Sequence, residues 1–184
     1  MPLIIKKQSR LKTQGFTLVE TLVAISILTL SIGTAIGIAA SGISSGYIAR
    51  DQTTAFYLAQ EAIEKIKNIR DNNALAPRPW LTGITDSGKC QFGWNCKVDS
   101  INNLLSLCGL SASSPCPFLN KDTNSHIPGG YAYALGSPPT QFRRTVRITS
   151  INSHEVSISV TVLWTKGSSQ YYFIARDNMF DWHP

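Results

Sequence analysis

FTLVETLVAISILTLSIGTAIGIAA, residues 16–40, is a long apolar segment near the start of this chain. Its 25 residues carry one charge, at Glu20. A helix of this length spans about 37 Å at 1.5 Å per residue, which exceeds the roughly 30 Å hydrocarbon core of a bilayer. We therefore interpret residues 16–40 as the transmembrane first half of a longer helix.

Basic residues precede this stretch, and no acidic residue lies before Glu20. The cations of residues 1–15 are Lys6, Lys7, Arg10 and Lys12. They are expected to stay in the cytoplasm, which places the rest of the chain outside it. They also supply most of the net charge of +6, so that charge indicates membrane topology before it indicates a nucleic-acid partner.

Three ordinary interpretations of residues 16–40 compete. A cleaved secretory signal has an apolar run of about 7–15 residues, and the present run is longer and has an acid near its start. A buried core helix is disfavoured by the length and by the basic flank. A plain membrane anchor fits the length but gives Glu20 no role, although a carboxylate so near the interface costs little.

The order of residues around the start of the run distinguishes these interpretations. The string KTQG is followed at once by FTLVE, and Gly15, Phe16 and Glu20 in this order resemble the class III signal of type IV pilins and type II secretion pseudopilins. The resemblance implies that a prepilin peptidase cuts between Gly15 and Phe16 and then N-methylates Phe16. It also implies further partners: other pilin or pseudopilin subunits bound through the N-terminal helix, an inner-membrane assembly platform, and membrane lipid.

Glu20 gains a role in this interpretation. Cleavage would leave a cationic amine on Phe16, in or near the bilayer. In a helical assembly, Glu20 of one chain could pair with the Phe16 amine of its neighbour, so that each buried charge has a partner and the axial register is set. The simpler alternative is that Glu20 reaches the lipid headgroups alone.

The apolar stretch continues into an amphipathic half of the helix, residues 41–72. Apolar side chains recur there at spacings of three and four: Ala55, Leu58, Ala59, Ala62, Ile63, Ile66 and Ile69. We interpret this stripe as core that packs on an apolar surface. The helix should end near residues 71–73, before Pro77 and Pro79. The segment AFYLAQEAIEKIKNIRD is similar to minor pilins and pseudopilins of V or I type.

Residues 73–184 are expected to form an extracytoplasmic globular head. Its first part, residues 74–140, should be mostly loop or irregular strand, with a possible short helix at residues 101–107. This part contains all four cysteines, Cys90, Cys96, Cys108 and Cys116. Outside the cytoplasm, disulfides are the default, and of the three possible connectivities we favour pairing of neighbours. The spacing lacks CxxC and a histidine cluster, so no metal site is expected.

Residues 141–176 are interpreted as an antiparallel β-sheet. FRRTVRITS alternates imperfectly, whereas residues 156–164 alternate almost perfectly, and a turn at residues 166–169 joins the last two strands. One face should be wet, the other should cover the helical stripe, and Phe180 and Trp182 should tuck the tail onto the head. The fold class is thus α+β: a long N-terminal helix, with a membrane-embedded first half, packed on a C-terminal antiparallel sheet, as in pilins.

Arg143, Arg144 and Arg147 form a small basic cluster on the first of these strands. Alternation places Arg143 and Arg147 on one face and Arg144 on the other. Contact with DNA phosphates is one interpretation. A solvated strand face, or salt bridges to acidic neighbours, is the interpretation that we favour.

The sequence contains no recognisable catalytic motif. It lacks a GxSxG elbow and a phosphate-binding glycine loop, and its three histidines are scattered. We therefore expect no catalytic residues, no cofactor and no enzyme. The chain is interpreted as a minor pilin or pseudopilin, first a single-pass inner-membrane protein and then part of a pilus or pseudopilus. The alternatives are a pilus-borne binding module for DNA uptake or adhesion, and a plain membrane-anchored extracellular domain.

Overall fold

The computed structural model describes residues 15–121, 130–133 and 138–182. The basic leader before Gly15 lies outside these residues. The chain divides into two compact units, of which one ends at Ile48 and the other begins at Ala49.

One helix, α1, covers Leu18–Leu75 and is 58 residues long. The long helix predicted over residues 16–72 is therefore confirmed, with both ends displaced by a few residues. Beyond the last turn, Pro77 cannot donate a backbone hydrogen bond. The buried side chain of Asn73 holds the departing chain, because its amide donates to the carbonyls of Trp80 (3.2 Å) and Thr82 (2.7 Å).

The strands lie in the unit that begins at Ala49. They are β1 Asn95–Asp99, β2 Leu104–Leu107, β3 Asn120–Lys121, β4 Tyr131–Ala132, β5 Phe142–Asn152, β6 Glu155–Lys166 and β7 Ser169–Phe180. Five of them form an antiparallel sheet in the order β2-β1-β5-β6-β7, and β3 pairs with β4 in a separate two-stranded sheet. The predicted α+β class is confirmed.

The core of this unit lies between α1 and one face of the large sheet. The buried apolar stripe of α1 consists of Ala55, Leu58, Ala59, Ala62, Ile63 and Ile66, with Ile69 partly buried beside them. Alternate residues of β5 and β6 face it, among them Val146, Ile158 and Val160. Side chains that recur every three or four residues on α1 therefore pack against side chains that recur every second residue on β5 and β6, as the sequence pattern predicts.

The prediction of a short helix at residues 101–107 is wrong. Leu104–Leu107 is strand β2, which pairs with β1 in antiparallel fashion and is joined to it by a turn. The Asp99 carboxylate accepts a hydrogen bond from the Asn102 N–H (3.0 Å), and Asn103 has a φ of 56°, which ends any helical path. The apolar run INNLLSL therefore belongs to a hairpin, and residues 74–140 contribute two strands to the large sheet.

Phe180 and Trp182, which were expected to tuck the tail onto the head, do not enter its core. Strand β7 continues to Phe180, and its alternation places Met179 in the core, fully buried. Phe180 and Trp182 remain about half exposed. The strand ladder and the buried side chain of Met179 thus hold β7 to the core.

Candidate functional site

The N-terminal motif lies immediately before α1. Gly15, Phe16 and Thr17 are exposed and have neither helical nor strand structure. The Thr17 hydroxyl accepts a hydrogen bond from the Glu20 N–H (3.2 Å), and the Thr17 carbonyl accepts one from the Thr21 N–H (3.1 Å). Thr17 is therefore the N-cap of α1. The peptide bond between Gly15 and Phe16 is left outside the helix and accessible.

Gly15 has open space around it. A Cβ added to this residue would meet no atom of the described chain within 4 Å. The fold therefore imposes no need for glycine at this position. Any requirement for glycine would come from a molecule that approaches the backbone closely.

Residues 15–47 present apolar side chains to their surroundings on every side of α1. Every residue from 15 to 47 is exposed. The most apolar 18 residues of the helix have a mean hydropathy of 2.2. Leu30 and Ile38, for example, are 70% and 75% exposed. Burying each such side chain is worth about 1.5–3 kcal/mol. By length and composition, α1 can cross a membrane.

Hydroxyl groups of this apolar segment are bonded within the helix. The five hydroxyl groups of residues 18–40 each donate to a backbone carbonyl three or four residues earlier, at 2.8–3.0 Å: Thr21, Ser26, Thr29, Ser31 and Thr34. A hydroxyl satisfied in this way can enter an apolar environment at little cost. The sequence interpretation overlooked these residues, although Ser and Thr at such positions in an apolar helix are a readable signal.

Glu20 is the exception among the polar side chains of residues 18–40. Its carboxylate is exposed and makes no hydrogen bond or ion pair with any described residue. It lies in the first turn of α1, where the partial positive charge of the helix N-terminus favours an anion. Glu20 is therefore the group in residues 16–40 that needs a partner from another molecule once the helix leaves water.

The cysteines form two disulfides between neighbours in the sequence. Cys90 pairs with Cys96 and Cys108 with Cys116. Cys90 and Cys96 are fully buried in the core, and their bond ties the loop after α1 to β1. Each closed loop contributes about 2–3 kcal/mol of stability. Among the described residues, no group of three His, Cys, Asp or Glu side chains could hold a metal ion.

The predicted basic cluster on β5 is divided between two faces of the sheet. Arg144 is fully buried on the α1 side. Its guanidinium donates to the carbonyls of Leu58 (2.8 Å) and Val98 and lies 3.4 Å from the Glu61 carboxylate. Arg144 cannot contact a nucleic acid from this position. As a nucleic-acid candidate it is wrong, and the structure gives it the role of joining α1 to the sheet.

Arg143 and Arg147 lie on the opposite, outer face. Arg143 packs over the Phe118 ring at 4.4 Å from its centre, which leaves Arg147 as the exposed member of the predicted cluster. Arg147 is in register with Ser159 on β6, which is in register with Arg176 on β7. The outer face thus has dispersed cations rather than a concentrated patch.

Tyr133 reinforces the buried arginine. Its hydroxyl donates to the Arg144 carbonyl (3.0 Å), and its N–H donates to the Asp99 carboxylate (3.0 Å). Burial raises the pKa of Tyr133, although the positive charge of Arg144 partly opposes this shift. The group is a packed structural connection between β5, β1 and α1.

Residues 10–43 match the prokaryotic N-terminal methylation motif. No curated protein and no solved structure is significantly similar to the chain. The match covers Gly15, Phe16, Glu20 and the apolar first half of α1.

Proposed function

Given that this chain carries the class III signal of a type IV pilin-like prepilin, we propose that it is a minor pilin or pseudopilin of the V or I type. A prepilin peptidase cuts it between Gly15 and Phe16 and methylates the new amine of Phe16. The mature chain then takes its place as a structural subunit of a type IV pilus or a type II secretion pseudopilus.

The observation that carries this proposal is the isolated carboxylate of Glu20. Every other polar side chain of residues 18–40 is bonded within the helix, so Glu20 alone must find a partner in apolar surroundings. Cleavage after Gly15 creates a cation four residues away in sequence. The Glu20 carboxylate of one chain and the Phe16 amine of its neighbour are matched charges, and an unpaired charge in this environment is costly.

The exposed apolar surface of residues 16–47 supports the same proposal. Before assembly, lipid covers it, with the N-terminus in the cytoplasm and the unit that begins at Ala49 outside. After assembly, sister helices cover it, and the inner-membrane assembly platform moves the helix from one environment to the other. The methylation motif together with this helix fits an inner-membrane-anchored protein.

We assign the chain no catalytic role. Prokaryotic proteins with this motif and a pilin-like architecture are structural subunits, and the candidate site consists of a cleavable peptide bond and a charge. The dispersed cations on the outer sheet face give little support to the alternative of a DNA-binding module.

Incorporation of Glu20 variants tests this proposal. Glu20→Gln keeps the size of the side chain but removes the charge, and Glu155→Gln makes the same change on β6, outside α1 and outside the hollows at Phe56. We expect both variants to reach the membrane and the Glu20 variant alone to be lost from sheared filaments. Equal incorporation of both variants would contradict the pairing of Glu20, and a chain that stays anchored but never enters filaments would favour the plain anchored domain.

A further inference from the structure

The two edges of the large sheet differ. At the β2 edge, the Leu107 N–H donates to the Gly88 carbonyl (3.1 Å), so the loop before β1 covers that strand. At the other edge, β7 pairs with β6 over its full length from Ser169 to Phe180 without a register shift. No described strand or loop pairs with its far side. A long open edge is a template for another strand, and proteins ordinarily protect such edges.

The direction of the backbone groups along β7 follows from two hydrogen bonds. The Asp181 N–H donates to His154 on the β6 side (2.9 Å), whereas the Phe180 carbonyl accepts a bond from Arg70 on the open side (3.3 Å). Successive residues of a strand direct their backbone groups to opposite sides. Tyr172, Ile174 and Arg176 therefore direct their N–H and C=O groups to the open edge, where no described residue bonds them.

A groove lies beside this open edge. Helix α1 runs along β7 in the same direction, because Phe56 packs against Phe173 (5.8 Å between ring centres) and Lys67 pairs with Asp177. Two hollows of about 310 and 340 Å³ meet at Phe56, whose side chain is 48% exposed. Phe56, Ile63 and Ala175 supply the apolar surface of the first hollow, which is also lined by Gln60, Glu64, Lys67 and Asp177. The second is lined mainly by Phe56, Tyr57, Phe173 and Ala49. A strand added to β7 would direct every second side chain into them.

The charge beside the edge indicates which side chain the added strand should carry on its other face, away from the groove. Arg176 is exposed on the outer face and makes no ion pair with a described residue. An acidic side chain on the added strand would lie next to it and gain a partner. The edge and the groove together select an extended segment with apolar residues at alternate positions and a carboxylate on the other face.

A second copy of this chain fits the edge poorly. Antiparallel pairing of two β7 strands would make the two α1 helices run in opposite directions, because β7 and α1 are parallel. Chains anchored in one membrane by the same helix share one direction, a step that rests on the proposed function. If two β7 strands paired in parallel about an exact two-fold axis, equivalent residues would direct their side chains to opposite faces of the sheet. In a pleated sheet, residues side by side on neighbouring strands direct their side chains to the same face, so this pairing does not fit either.

We propose that the open edge of β7, with the groove beside α1, is a docking site for an extended strand of a different protein of the assembly. The added strand continues the sheet through backbone hydrogen bonds at Tyr172, Ile174 and Arg176. Its apolar side chains fill the groove at Phe56, and its carboxylate pairs with Arg176.

Amide hydrogen exchange of the full chain in detergent micelles tests this proposal. The probes are two synthetic peptides of identical composition: one alternates valine and threonine with one glutamate on the threonine face, and the other groups the valines together. The alternating peptide should slow exchange at Tyr172, Ile174 and Arg176 by about tenfold, and the grouped peptide should not. No slowing, or equal slowing by both peptides, would overturn the proposal, as would protection that grows with protein concentration alone, the sign of a second copy.

Matched variants separate backbone pairing from side-chain contact. Ile174→Pro removes an N–H on the open side while leaving the bonds to β6, and Ile174→Ser removes the side chain while keeping the N–H. Protection by the alternating peptide should be lost in the first and kept in the second. Loss in both would overturn strand addition. Arg176→Glu should shift the preference to a peptide with lysine in place of glutamate, and an unchanged preference would contradict the charge contact.

Failure of this proposal is distinguishable from failure of the proposed function. The exchange measurement does not depend on processing, whereas the N-terminus of the chain recovered from cells reports processing alone. A processed chain without peptide protection overturns only the docking site. An unprocessed chain with protection overturns the proposed function and leaves the edge as a peptide site.

Discussion

The guanidinium of Arg144 on β5 donates a 2.8 Å hydrogen bond to the carbonyl of Leu58 on α1, and both residues are buried. The same side chain reaches the Val98 carbonyl on β1 and the Glu61 carboxylate on α1. One buried cation thus joins the helix to two strands. Because a buried charge is tolerated only with partners, this contact fixes how α1 lies on the sheet.

Replacement of this arginine should be strongly destabilising. Arg144→Met keeps much of the apolar volume but leaves the Val98 carbonyl without its donor and Glu61 without its partner. We expect the free energy of unfolding to fall by about 3 kcal/mol. Urea unfolding of the full chain in detergent, followed by tryptophan fluorescence, measures this. Arg147→Met, on the exposed face of the same strand, should change it by less than about 0.5 kcal/mol, and similar effects of the two changes would contradict the role of Arg144.

The raised pKa of Tyr133 predicts a loss of stability in alkali. In the folded chain, burial keeps the Tyr133 phenol neutral at pH values above its ordinary pKa of 10.0, whereas in the unfolded chain the phenol ionises around that pH. The stabilisation is therefore complete below pH 10 and is lost as the pH rises towards the folded pKa. Tyr133→Phe should flatten this dependence and cost about 1 kcal/mol at neutral pH through the lost bond to Arg144. Unfolding between pH 8 and the onset of alkaline damage measures both, with Tyr172→Phe, an exposed ring, as the control that should change neither.

The two disulfides should differ in their resistance to reduction. Cys90 and Cys96 are fully buried, whereas Cys108 is partly exposed. In the folded chain, a thiol reductant should therefore open the bond between Cys108 and Cys116 first. Alkylation and mass spectrometry at increasing reductant measure the order. Earlier alkylation of Cys90 and Cys96 would show that their burial does not limit access in solution.

The sequence was sufficient to predict the elements whose patterns are long. The stripe from Ala55 to Ile69 and the alternation from Val156 to Trp164 are each sustained over several periods, so the helix and the hairpin could be predicted. Shorter signals misled: INNLLSL has too few residues to distinguish strand from helix, and the decisive bond from Asn102 to Asp99 depends on the turn itself.

The role of Arg144 was only partly readable. Arg144 is separated by an even number of residues from Phe142, Val146 and Ile148, all of which are buried. The alternation along β5 therefore places its side chain on the same inner face as theirs. The sequence could not show that Leu58, Val98 and Glu61 converge on that position, because they come from distant elements. The N-terminal methylation motif, by contrast, lies in one continuous stretch, so the sequence alone was enough to recognise it.

Mass spectrometry of the N-terminus, on protein recovered from native membranes, tests whether the chain is cut after Gly15 and methylated on Phe16. Gly15→Val supplies the control, because the open space at Gly15 allows the fold to accept the larger side chain while a peptidase that approaches the backbone would be blocked. We predict a mature chain that begins with methylated Phe16 and an uncut Gly15 variant. An intact Met1 terminus in the native chain, or a cut beyond residue 40, would contradict the account.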